Sequence, residues 1–136
     1  MRTDCRGEFT VKARYIVATL LYCAAIFWES SQSEPIKTSY HFPEDDKVAH
    51  LIIYGGLAAL VSVGIRRSGK PVAPAWQFWA PIVFCAIYGA SDEFHQRYVP
   101  MRTCDIFDFM TDSVGALLMQ IILCRYVWKR RRQGQT

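Results

Sequence analysis

Residues 45–67 read DDKVAHLIIYGGLAALVSVGIRR, an apolar run entered through two aspartates, a lysine and a histidine and left through two arginines. The part from 48 to 65 has the length of a membrane span, for which roughly 17–25 residues are needed. Three further runs, at 13–28, 76–90 and 106–128, are also uncharged in their middles. The chain is 51% apolar over 136 residues, too much for a small soluble domain unless its helices face something other than water. These observations predict an all-α fold: one domain over 1–136, built as a four-helix transmembrane bundle in a lipid bilayer. Trp28, Trp76, Trp79 and Trp128 fall near the span ends, where interfacial aromatic belts form. The third run is the weakest span, because Pro81 kinks a helix unless it lies in the first turn or so.

Orientation follows from the basic residues. Arg2, Arg6, Lys12 and Arg14 precede the first run, Arg66, Arg67 and Lys70 separate the second and third, and Arg125 and 129–132 close the chain. The two remaining connections hold only Lys37, Lys47, Arg97 and Arg102 among many carboxylates. The positive-inside rule therefore places both termini in the cytoplasm and the acidic connections outside, as for a multi-pass protein of the bacterial cytoplasmic membrane. The run Lys129, Arg130, Arg131, Arg132 reads as an orientation signal and solvated tail, and no nucleic-acid partner is expected from it. Asp4 and Glu8 before the first run argue against a secretory signal, and Tyr22 directly before Cys23 is wrong for lipoprotein processing. With Cys23, Cys85 and Cys124 in spans and Cys5 inside, Cys104 is left alone outside, and no intrachain disulfide is expected.

This topology brings three helix ends to the outer face, at Asp46, Asp92 and Asp105. Asp46, His50 and Tyr54 recur every four residues and share a stripe of the second helix, while Asp105, Asp108, Asp112, Gly115 and Met119 share one on the fourth. Asp112 then lies about 10 Å deeper than Asp105 at 1.5 Å per residue. A carboxylate at that depth must face other helices or a water-filled cavity, which marks it as a candidate functional group. Gly55, Gly56, Gly89 and Gly115 are small positions that let helices approach and bring His50 toward Asp108 and Asp112. The expected outward-facing polar cup comprises Asp46, Lys47, His50, Tyr54, Asp92, Glu93, Gln96, Arg102, Asp105, Asp108 and Asp112. His41 and His95 read as loop residues.

These residues carry a resemblance. Asp46, Lys47, His50 and Tyr54, then Tyr88, Gly89, Asp92, Glu93 and Gln96, then Pro100, Arg102, Asp105, Asp108 and Gly115 follow in an order and spacing that resembles the VanZ-like membrane proteins. The resemblance covers about half the chain. It implies a small multi-pass envelope protein, related to one linked with resistance to the glycopeptide teicoplanin, and hence an antibiotic-resistance connection. It implies no settled activity. Two departures stand out: Asp112 replaces a frequent asparagine, and Met119 replaces a frequent glycine.

The cup is expected to bind a polar or charged envelope ligand, whether a lipid headgroup, a peptidoglycan precursor or a glycopeptide. A membrane enzyme acting on a lipid-linked intermediate is the alternative, with His50, Glu93 and Asp108 as candidate catalytic groups and Lys47 and Arg102 on a phosphate. A divalent cation fits the same residues: Glu93, Asp105, Asp108 and Asp112 suit Mg²⁺ or Ca²⁺, and adding His50 or His95 suits Zn²⁺. A third reading is a bundle held together by polar contacts, with no ligand. Asp112 separates these readings. The expected outcome is that it packs as a neutral hydrogen-bonding group and that Asp112→Asn is silent, because the asparagine frequent at this position in the family resembles a protonated aspartate; if it pairs with His50 or ligates a metal, the change is damaging instead. The motifs of lipid phosphatases are missing, and the first run lacks the carboxylate that small multidrug exporters need.

Overall fold

The computed structural model describes residues 5–33, 45–69, 71–102 and 104–128, with side chains from residue 13 in the first helix and from residue 47 in the second. Four α-helices follow one another: α1 Cys5–Ser30, α2 Asp45–Arg66, α3 Pro74–Gln96 and α4 Ile106–Ile122. The last runs on into a π-helical stretch, Leu123–Trp128. No strand occurs among the described residues, so the fold is all-α as expected. Of the four, α2 over Lys47–Arg66 and α4 with its extension over Ile106–Tyr126 are long and apolar enough to cross a membrane.

Local chemistry explains where these helices begin. Pro74 lies in the first turn of α3, where its missing N–H removes no helical bond. Asp105 caps α4: its Oδ1 accepts the Phe107 N–H at 2.9 Å, and Asp108 in the first turn meets the positive end of the helix dipole. The turn between α3 and α4 reverses through Met101, which holds a left-handed backbone at φ 68°. Pro81 lies inside α3 and is buried, and the helix continues through it to Gln96.

Helix α2 is the hub. It packs against α4 most extensively and also against α3 and α1, while α4 packs on α3. The apolar core is small, formed by Ile26, Tyr54, Leu57, Ala58, Cys85 and Ala116. Its narrowness follows from the seam between α2 and α4. A Cβ on Gly115 would collide with the Leu51 carbonyl oxygen, so only a residue without a side chain lets the two backbones run this close.

Polar bonds tie the helices elsewhere. The Tyr22 hydroxyl donates to the Ile53 carbonyl at 3.0 Å, and the Tyr88 hydroxyl to the Cys23 carbonyl at 2.6 Å. Gln120, fully buried, accepts from Ser62 Oγ at 3.0 Å and donates to the Ala58 carbonyl at 3.2 Å. Each such bond between helices contributes about 0.6–2 kcal/mol in a bilayer.

The distribution of side chains is inverted relative to a water-soluble bundle. Ser62, Asp92, Glu93, Gln96, Asp112 and Gln120 are buried, whereas Leu20, Leu21, Ile52, Ile87, Ile106 and Leu118 face outward.

Candidate functional site

One end of the bundle gathers the ionisable groups. His50 comes from the second turn of α2, Asp92, Glu93 and Gln96 from the last turns of α3, and Asp108 and Asp112 from the first two turns of α4. The apolar run at roughly 76–90 places the third helix end at Asp92, and α3 runs on one further turn to Gln96. The extension is stabilised by what it buries. Glu93 Oε2 accepts the Asp105 backbone N–H at 3.0 Å, which ties the end of α3 to the cap of α4. Gln96 Nε2 donates to Asp92 Oδ2 at 3.2 Å, one helical turn back.

The centre of the site is a buried pair. His50 Nδ1 and Asp112 Oδ1 share a hydrogen bond of 2.9 Å, with Asp112 fully buried. The close approach of α2 and α4 at Gly115 makes this bond possible, since Asp112 lies on the stripe that Gly115 presses against Leu51, the residue after His50. Tyr54 stacks nearly parallel to His50, with ring centroids 6.2 Å apart. A Cβ on Gly89 would sit 2.8 Å from Asp112 Oδ2, so the glycine of α3 leaves space for the carboxylate.

Four buried polar atoms of these residues have no hydrogen-bond partner: the Tyr54 hydroxyl, Asp92 Oδ1, Glu93 Oε1 and Asp112 Oδ2. Such groups cost about 1–3 kcal/mol each when left unsatisfied, so these atoms can accept donors from water or from a bound molecule. The electrostatics point the same way. Among the described residues, the buried set contains Asp92, Glu93, Asp108 and Asp112 against a single group able to carry positive charge, His50. The centre is rich in acceptors and poor in donors.

Lys47 and Arg102 do not join this centre. Lys47 is exposed, and its Nζ lies 5.6 Å over the Phe107 ring. Arg102 is turned toward α1: it donates to the Gln32 carbonyl at 3.1 Å, to the Glu29 carbonyl at 3.0 Å and to Glu29 Oε1 at 3.1 Å. Its planar fork bridges the carbonyls at the end of α1, where the Glu29 carbonyl also accepts the Gln32 N–H at 3.1 Å. Asp105 acts as a cap, and the side chain of Asp46 lies outside the described residues, as does His41. His95 is not a loop residue. It sits in the last turn of α3, half-buried, with Nε2 3.0 Å from Ser31 Oγ and its ring 4.5 Å from that of Phe27.

The sequence reading missed the role of Glu29 and the Ser62–Gln120 bond. Gln120 was detectable as a lone amide in an apolar run; Glu29 was not, because only the fold brings the turn after α3 to the end of α1.

A family model described as VanZ/LLP1 matches residues 15–129, a stretch that contains every buried group of the site. Comparisons with curated proteins and with solved structures return no match.

Proposed function

Because the chain belongs to the VanZ/LLP1 family, we propose that it is a multi-pass envelope membrane protein whose buried polar cup takes up a ligand bearing hydrogen-bond donors or positive charge. The observation that carries this reading is the set of unpartnered atoms on three helices, the Tyr54 hydroxyl, Glu93 Oε1 and Asp112 Oδ2. Amino and hydroxyl groups satisfy carboxylate oxygens directly. The amino-sugar portion of a peptidoglycan precursor, an amine-bearing lipid headgroup and a glycopeptide antibiotic all present them. A bare phosphate fits less well, because Arg102 is engaged with Glu29 and Lys47 stands at the rim.

In this reading all four helices span the bilayer, with both termini cytoplasmic and the cup outside. Support for α1 and α3 comes from their outward apolar faces, Ile16, Leu20, Leu21 and Phe27 on the first and Trp79, Val83, Phe84 and Ile87 on the third. The segregation of arginine and lysine sets the direction. Single-cysteine variants in intact cells check it. Cys104, exposed in the turn before α4, is expected to react with a membrane-impermeant maleimide, and a cysteine placed after Arg132 is expected to stay protected. Labelling only of the C-terminal probe would reverse the orientation and move the cup to the cytoplasmic face.

The ligand is tested by thermal denaturation of the purified protein in chelator-containing buffer, with teicoplanin, undecaprenyl-linked precursors and amine-bearing lipids as additions. A ligand that binds only the native state raises the midpoint by mass action, about 2.7 kcal/mol at a hundred times its Kd. At least one of these is expected to shift the wild type and not His50→Ala. Equal shifts in both proteins would show that the cup is not the site.

A further inference from the structure

We infer that His50, Glu93 and Asp112 form a binding site for a single transition-metal dication, Zn²⁺ foremost. Each residue offers one ligand atom, and these atoms lie within 4.8 Å of one another in a buried setting. Ligand atoms around one tetrahedral ion bound at about 2.0–2.2 Å stand about 3.3–3.6 Å apart, so small side-chain rotations close the triad. The three come from α2, α3 and α4, and the packing of the bundle fixes their separation before any ion arrives.

Two further features distinguish this triad from an ordinary cluster of carboxylates. Glu93 is 5% exposed and Asp112 0%, yet Glu93 Oε1 and Asp112 Oδ2 have no hydrogen-bond partner. The opposite oxygen of each is held, Glu93 Oε2 by the Asp105 N–H at 3.0 Å and Asp112 Oδ1 by His50 Nδ1 at 2.9 Å. The Asp105 N–H orients Glu93 from outside the coordination sphere, as is common for ligating carboxylates, whereas the bond between His50 and Asp112 lies within the triad and opens to admit the ion. Gly89 adds room, since any side chain there would press on Asp112 Oδ2.

Charge and donor type select the ion. Two carboxylates balance a dication, which removes the cost of burying both as free anions. One imidazole with two oxygens suits Zn²⁺ or a neighbouring transition metal, whereas Ca²⁺ takes six to eight oxygens and Mg²⁺ keeps several waters in a near-ideal octahedron. Three protein ligands leave one position of a tetrahedral ion for a ligand atom or water. The ion site stands on its own geometry; only its use, to anchor or polarise a headgroup, rests on the reading of the cup as a ligand site.

The test is titration calorimetry of metal-stripped full-length protein in nanodiscs with ZnCl₂ alone. Saturable binding of one ion per chain is expected, together with a raised unfolding temperature. His50→Ala, Glu93→Gln and Asp112→Asn are each expected to weaken binding at least tenfold, with His95→Ala and Cys104→Ser retaining it as controls for a half-buried histidine and an exposed thiol. The two amide variants keep the shape of the site and decide the matter if His50→Ala fails to fold. Absence of saturable binding in the wild type, or unchanged binding in both amide variants, overturns the site. Because headgroup binding is measured with chelator and ion binding without headgroup, failure of one is distinguishable from failure of the other.

Discussion

Replacing Gly115 with leucine is expected to leave no folded protein in the membrane. The collision is with backbone: a Cβ at this position would lie 3.0 Å from both Cα and the carbonyl carbon of Leu51, and closer still to its oxygen. A flexible neighbour could turn aside, but the backbone of a packed helix moves only by separating α2 from α4. Overpacking a core typically costs about 1–3 kcal/mol, and more where main chain must shift. Even Gly115→Ala is expected to lower the unfolding midpoint strongly, at about 3 kcal/mol or more on that scale. The exposed Ala90 of α3 provides the control, since Ala90→Leu meets no neighbour across a seam and is expected to be silent. Monodispersity on size exclusion and thermal denaturation measure both changes. A stable Gly115→Leu protein would show that α2 and α4 do not approach as described.

The same glycine links fold to site. Leu51 follows His50, and Asp112 precedes Gly115 by three residues, so moving the helices apart stretches the 2.9 Å bond between His50 and Asp112. Gly115→Ala protein that survives purification is therefore expected to have lost its ligand response as well.

Much of this architecture was readable from residue spacing. Asp46, His50 and Tyr54 at intervals of four, and Asp105, Asp108, Asp112 and Gly115 at three and four, describe two helix stripes. The small residues on each stripe indicate which faces meet. The partner of His50 was narrowed to Asp108 or Asp112, and the structure pairs it with Asp112. Periodicity could not show where α3 ends. Ser91, Asp92, Glu93, Phe94, His95 and Gln96 are polar enough to resemble a loop, and they stay helical because the Asp105 N–H and the burial of Asp92, Glu93 and Gln96 stabilise them. These are contacts between segments, and local propensity does not record them. Arg102 is a related case: its charge suggests a ligand contact, and its position in space delivers it to the carbonyls of Glu29 and Gln32.

A bundle held together by polar contacts alone needs those contacts to be complete. The Ser62–Gln120 bond is of that kind, since both Gln120 Oε1 and Nε2 have partners. The outer cluster is different, because Tyr54, Glu93 and Asp112 each bury an atom with none. One end of the bundle thus satisfies its polar groups internally, and the other retains capacity that contributes nothing to packing.

Asp112→Asn is accordingly expected to reduce ligand response more than tenfold while leaving the protein folded. Asparagine preserves shape and offers an amide in place of a carboxylate, so the packing beside Gly89 changes little. What it removes is the titratable carboxyl group bonded to His50 Nδ1, and with it the proton exchange and charge-assisted bonding that this pair can support in a buried setting. The silent outcome, expected for a neutral packing group, is disfavoured because Asp112 has a titratable partner at 2.9 Å. A double-mutant cycle makes the claim quantitative. If His50 and Asp112 act as one unit, His50→Ala combined with Asp112→Asn should lose little beyond the worse single variant, a coupling of about 1.4 kcal/mol for each tenfold shortfall from additivity. Thermal shift with the responding ligand, measured on all four proteins at equal folded concentration, reads this out. Strictly additive losses would separate the two residues, and a wild-type response from Asp112→Asn would return Asp112 to the role of packing group.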